Sequence, residues 1–147
     1  MTAVTARTVT ITLPLPPIAL SPNSRAHYLT KATKAKGYRS DAYHAALAAV
    51  QPGSFWFWHA VMDVRYTRCP NDILGNLRRV CPTDQDNAMS AIKNAIDGVR
   101  DAGIIVNDTS THLVISKVEI TRCKHSRNAV CSAGGKSGVT LVFTEIA

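Results

Sequence analysis

Carboxylates are scarce in this chain: ten Asp and Glu stand against seventeen Lys and Arg, leaving a net charge of +7 and a pI near 9.5. So basic a composition favours nucleic acid as partner, because fixed Lys and Arg displace the counterions of phosphates, although basicity for solubility alone gives the same balance. Long apolar runs are missing too. Nothing approaches the roughly 18 residues of a membrane span, so no membrane partner is expected. The segment Met1–Thr10 lacks a basic stretch leading into an apolar one, so no secretory signal is expected and a cytoplasmic location follows. There are only four cysteines, Cys69, Cys81, Cys123 and Cys131. None has C-x-x-C spacing, and in the cytoplasm they are expected as reduced thiols. Each pair still brackets a loop, so the four form a candidate set for a structural Zn2+. No internal repeat, low-complexity tract or heptad pattern is present.

What is present fits one domain over residues 1–147, long enough to bury a core. Residues 1–7 are expected to form a flexible lead-in. Residues 8–15 alternate strictly, with Val9, Ile11, Leu13 and Leu15 on one face, and Pro14 argues for a strand at or near an edge. A helix is expected over about Lys31–Val50, ending before Pro52-Gly53. Residues 59–68 alternate again, 69–82 read as a loop, and a second helix runs from Thr83 or Asp84 to Ala102 with Gly103 at its end. The apolar run Ile104–Val106, a turn at Asn107-Asp108, a strand over 112–122, a basic loop over 123–137 and a strand over 138–146 complete the chain. The order is β-α-β-α-β-β, an α+β fold in which a small mixed sheet packs with two helices.

Half of the few carboxylates fall between positions 84 and 108: Asp84, Asp86, Asp97, Asp101 and Asp108. Gathering them in one window is a way to hold a divalent cation. Mg2+ takes oxygen ligands and uses few carboxylates, leaving room for water and phosphate. Asp84 and Asp86 share a direction only in an extended segment, so a shared metal requires both to precede the helix. Asp108 is expected to return beside the same helix start. Lys93, about two turns after Asp86, lies on nearly the same face, flanking a core stripe of Met89, Ile92, Ile96 and Val99. Other readings of the same residues stay open. Asp84 and Asp86 could cap the helix and complement its dipole, Asp108 could be a turn residue, and Lys93 with Asp97 could be an i,i+4 pair. An EF-hand is excluded, because the positions that need Gly and Glu hold Met89 and Ala95.

D-Q-D-N at 84–87, I-K-N-A-I-D-G-V at 92–99 and D-A-G-I-I-V-N-D at 101–108, in that order, resemble the RusA-type Holliday junction resolvases, small endonucleases of phages and prophages. The opening L-P-L-P-P at 13–17 with S-P-N-S-R-A-H-Y at 21–28 is similar to that family's start, so the resemblance covers most of positions 10–115. It implies a homodimer that binds four-way, branched DNA and makes paired symmetric nicks with Mg2+ or Mn2+. Carried onto these positions, Asp84, Asp86 and Asp108 would be the metal ligands and Lys93 the catalytic lysine. Asn87 and Asp97 would support the site, and Arg25 would contact DNA. Two features depart from the pattern: the lysine stands further from D-Q-D-N than in the archetype, and the four cysteines have no counterpart.

Further DNA contacts are expected from the basic groups: Lys31, Lys34, Lys36 and Arg39; Arg78 and Arg79; and Lys117, Arg122, Lys124, Arg127 and Lys136. Trp56 and Trp58 are expected in the core or at the dimer interface, with a wedging or base-stacking role at the junction as the other reading. The alternatives are a non-catalytic, zinc-stabilised nucleic-acid-binding protein, or a related nuclease preferring flaps or forks.

Overall fold

Strict alternation builds the first strand. In the computed structural model, which describes residues 6–50, 57–123 and 136–146, β1 (Thr8–Leu13) buries Val9, Ile11 and Leu13 and exposes the threonines between them. Three further strands follow: β2 (Ala60–Arg68), β3 (Leu113–Arg122) and β4 (Gly138–Glu145). They form one sheet in the order β1-β4-β2-β3. β4 is antiparallel to both of its neighbours, whereas β3 runs parallel to β2. A parallel pair needs a crossover, and the chain between β2 and β3 supplies it with a helix. β1 is an edge strand, and Pro14 falls just past its end, where no ladder donor is required. The fold is therefore α+β with a mixed sheet, in the expected order of elements.

One face of the sheet makes the core. Met62, Val64 and Tyr66 of β2 and Val139, Leu141 and Phe143 of β4 are buried beside the apolar side of β1. The opposite face is rich in threonine and carries the ion pairs of Glu119 with Arg65 and Lys117. β3 is the less covered edge: after a bulge at Met62/Asp63, its register is regular, but Val114 and Ile115 stay 48% and 44% exposed.

Two long helices cover the core face. α1 (Tyr28–Ala49) buries Tyr38, Ala42 and Ala46, residues four apart and hence on one stripe. The helix begins a turn earlier than the sequence suggests, because the His27 ring caps it by accepting from the Leu29 N–H at 3.3 Å. Between β2 and the second long helix lies a single turn, α2 (Ile73–Asn76), and then α3 (Gln85–Asp101). α3 buries Ala88, Ala91, Ile92, Ala95, Ile96, Gly98 and Val99. It ends at Gly103, whose φ of 84° is the left-handed position that glycine fills without strain. The Tyr66 hydroxyl donates to the Ala88 carbonyl and ties the helix start to the sheet.

α1 and α3 touch backbone to backbone. A Cβ on Gly98 would lie 2.2 Å from the Arg39 carbonyl oxygen. Gly98→Ala should therefore destabilise the protein by about 1–3 kcal/mol, although alanine is the better helix former by about 1 kcal/mol. Urea unfolding reads this as a lower midpoint; an unchanged midpoint would mean that the helices have room to part. Arg39 also bridges the pair, its guanidinium donating to both Asp101 oxygens at 2.6 and 2.9 Å. Those hydrogen bonds hold the Asp101 carboxyl below its ordinary pKa.

The segment 69–82 is more ordered than a plain loop. Asp72 accepts from the Gly75 N–H at 2.9 Å and from the Ser137 N–H at 2.7 Å. Asn76 donates to the Cys69 carbonyl at 2.7 Å, and the Ser137 hydroxyl meets Asn76 at 2.6 Å. This knot joins α2 to the start of β4. At the N-terminus, Arg7 is not part of a flexible lead-in: it forms an ion pair with Glu145, and its carbonyl accepts from the Glu145 N–H. Among the described residues no helix is long and apolar enough to cross a membrane.

Candidate functional site

The start of α3 sets out the D-Q-D-N motif. Asp84 is extended (φ −136°, ψ 166°) and is the N-cap. One of its oxygens accepts from the Asn87 N–H at 2.9 Å and the other from the Asn87 side-chain amide at 2.8 Å. Asn87 thus supports Asp84 directly. Loss of this cap in Asp84→Ala should cost about 1 kcal/mol, whereas Asp84→Asn should cost little. Thermal unfolding of the two variants separates them, and equal melting temperatures would contradict the capping role.

Asp86 departs from expectation. It does not precede the helix with Asp84 but lies in its first turn, exposed. The cause is the cap itself: with Asp84 as the N-cap, helical bonding begins at once, and the Ala88 N–H already donates to the Asp84 carbonyl at 3.0 Å. The two carboxylates therefore leave the backbone from different conformations. Lys93 is exposed about two turns further on. Asp97 does not pair with it; it meets Arg100 at 3.6 Å.

Asp108 is the larger correction. It does not return beside the start of α3 but sits at the other end, with its carboxylate 3.4 Å from the Arg100 guanidinium. α3 runs unbroken from Asp86 to Arg100, about 21 Å of axial rise. The link that follows is pinned near the helix end. Ile104 and Ile105 are buried, and the Ile104 carbonyl accepts from the Phe57 N–H at 2.7 Å. The three aspartates thus occupy two ends of one helix. Among the described residues no three of His, Cys, Asp and Glu are grouped to hold a metal ion.

Three of the four cysteines fall among the described residues, all of them buried thiols: Cys69, Cys81 and Cys123. Cys69 and Cys123 are buried together in a small cluster at the ends of β2 and β3, while Cys81 belongs to the main core. Cys131, Lys124, Arg127 and Trp56 lie outside the described residues. Trp58 is not a core residue. It is 59% exposed and packs edge-on against His112 with ring centroids 5.0 Å apart. The His112 N–H donates to the Thr109 carbonyl at 2.9 Å, which places this aromatic pair beside the Asp108 loop.

Of the basic residues, Arg25, Lys34, Lys36 and Arg78 are exposed, and Lys31 and Arg79 are half-buried. Arg39 is engaged by Asp101. Two parts of the sequence resemblance that are far apart in the chain meet in space: Ser21, Pro22 and Asn23 line a small cleft of about 160 Å3 with Thr83 and Asn87. A second, wider cleft lies beyond the same loop, against α1 and the Arg78 segment. Its cations come from two basic groups of the sequence, at 31–39 and 78–79, and nothing in their spacing signals that the two converge. No family model matches the chain, and no curated protein matches it.

Proposed function

We propose that this protein is a metal-dependent, structure-specific DNA endonuclease of the RusA type, acting on four-way junctions as a homodimer with Mg2+ or Mn2+. The observation that carries the proposal is the ordered D-Q-D-N, I-K-N-A-I-D-G-V and D-A-G-I-I-V-N-D series, with the N-terminal S-P-N segment lining a cleft against the first of these motifs. Asp84 and Asp86 are exposed and Asp108 is partly so, and carboxylate oxygens are the ligands that a hard cation takes.

Within one protomer the three do not fit a single ion, because a helix length separates them. In two protomers whose α3 helices ran antiparallel about a two-fold axis, Asp108 of one would lie beside the start of the other's α3. There the exposed Asp86 side chain would have to turn from the first helical turn toward the N-cap Asp84 to share an ion with it. Nuclease activity would accordingly require the dimer, with two equivalent sites for the two opposed strands of a junction. Exposed Trp58, beside the Asp108 loop, suits such an interface. A cation bound there supplies Lewis acidity and an activated water. The chain's own residues do the rest: Asn87 orients Asp84, Lys93 offsets charge that builds on the phosphate, and the exposed Lys and Arg hold the DNA by its backbone and shape.

The proposal is tested with labelled four-way junction and linear duplex of the same arm sequence, each with and without Mg2+. Paired nicks in the junction, dependent on metal, are expected. No metal-dependent nicking, or equal nicking of the duplex, would contradict it.

A further inference from the structure

A cleft of about 780 Å3 opens between the turn Ile18–Leu20, the first half of α1 and the segment carrying Leu77, Arg78 and Arg79. Its volume is that of a site for a small organic group. The lining is two-toned. Ile18 and Leu77, 56% and 61% exposed, give it apolar walls. Tyr38 closes the floor, its ring buried and its hydroxyl spent on the Pro14 carbonyl at 2.9 Å. Lys34, Arg78 and Arg79 bring three cations to the rim, where Asp41 is the one carboxylate among the described lining residues.

The walls are fixed rather than loose. The Ile18 N–H donates to the Arg78 carbonyl and the Val80 N–H to the Pro16 carbonyl, both at 2.9 Å. Arg79 donates one guanidinium N–H to the Leu15 carbonyl at 3.0 Å, which anchors the group and leaves further donors of its five. Arg78 holds a φ of 55°, a left-handed conformation that suits glycine and strains arginine. A backbone position made for glycine thus carries a long exposed cation aimed from the rim of a cavity.

We infer that this cleft takes an unpaired stretch of DNA strand, with a base against the apolar walls and the flanking phosphates on Lys34, Arg78 and Arg79. Choosing DNA as the polymer rests on the nuclease proposal; the two-toned chemistry of the cleft does not. A duplex hides its base faces in the stack, whereas an unpaired strand offers base and phosphate together. The cleft also shares the 17–26 loop with the smaller cleft at the D-Q-D-N motif. A strand freed at a branch point would then be held by the loop that meets the start of α3, the helix end that carries Asp84 and Asp86.

The test is anisotropy of a short fluorescent oligothymidylate, without metal, on the wild-type protein and on Arg78→Gly and Lys34→Gln. Both variants should fold: glycine relaxes the left-handed backbone, and Lys34 is an exposed helix position. Saturable binding should weaken by at least about tenfold in each variant, with a shallower salt dependence. The cleft is ruled out if the variants bind as the wild type does, if a duplex of equal length binds as well as the single strand, or if the wild type nicks junctions yet does not bind the oligothymidylate. Binding that the variants lose, in a protein that nicks nothing, would keep the cleft and remove the nuclease.

Discussion

Asp86→Asn is expected to abolish junction nicking while junction binding stays intact or tightens. The substitution keeps the size and polarity of the side chain and removes only its charge, which is what a hard cation needs from it. Loss of a metal's contribution is worth several kcal/mol of barrier, about a thousandfold or more in rate. Its effect on folding should be small. At the first turn of α3 a carboxylate complements the helix dipole, worth about 0.3–1 kcal/mol, so the melting temperature should fall only slightly. Binding should hold or improve because a negative charge facing phosphates is gone. Single-turnover nicking alongside gel-shift binding measures both quantities. A variant that cuts normally would reduce Asp86 to a dipole partner, as Asp84 is a cap.

What the sequence made legible was local. The alternation of Val9, Ile11 and Leu13 read directly as a half-buried strand, and Pro14 placed it at an edge. The stripe of Ile92, Ile96 and Val99, with Asp84 before it and Gly103 after it, marked α3 nearly to the residue, because period and caps depend only on neighbours in the chain. The site was legible in its parts and not in its assembly. Asp108 stands away from the start of α3 because the Phe57 N–H, distant in the chain, pins Ile104 near the end of that helix. Asp86 lies inside the helix because the cap at Asp84 starts it before Asp86. The Asp72–Ser137 knot joins residues far apart in the chain, and no periodicity announces such a pair. The basic cleft is of the same kind: Lys34 on α1 and Arg78 on a distant loop converge only once Pro16 and Ile18 bind that loop by their backbones.

The separation of the aspartates turns the metal-site proposal into a claim about two chains, and subunit mixing tests it most directly. Asp86→Asn and Asp108→Asn protein should each be inactive alone, since every site in either homodimer lacks one ligand. In a mixed dimer the two defects fall into one site, and the other site receives wild-type Asp84 and Asp86 from one protomer and wild-type Asp108 from its partner. With random exchange of subunits, about half of the dimers are mixed and each has one sound site, so nicking should recover to about a quarter of the wild-type rate. The product should be a singly nicked junction, because the second strand meets a dead site. That recovery, from two inactive proteins and only after exchange, is the result expected here. A mixture as inactive as its parents, under conditions where exchange is verified and the wild type nicks, would contradict a site shared between protomers.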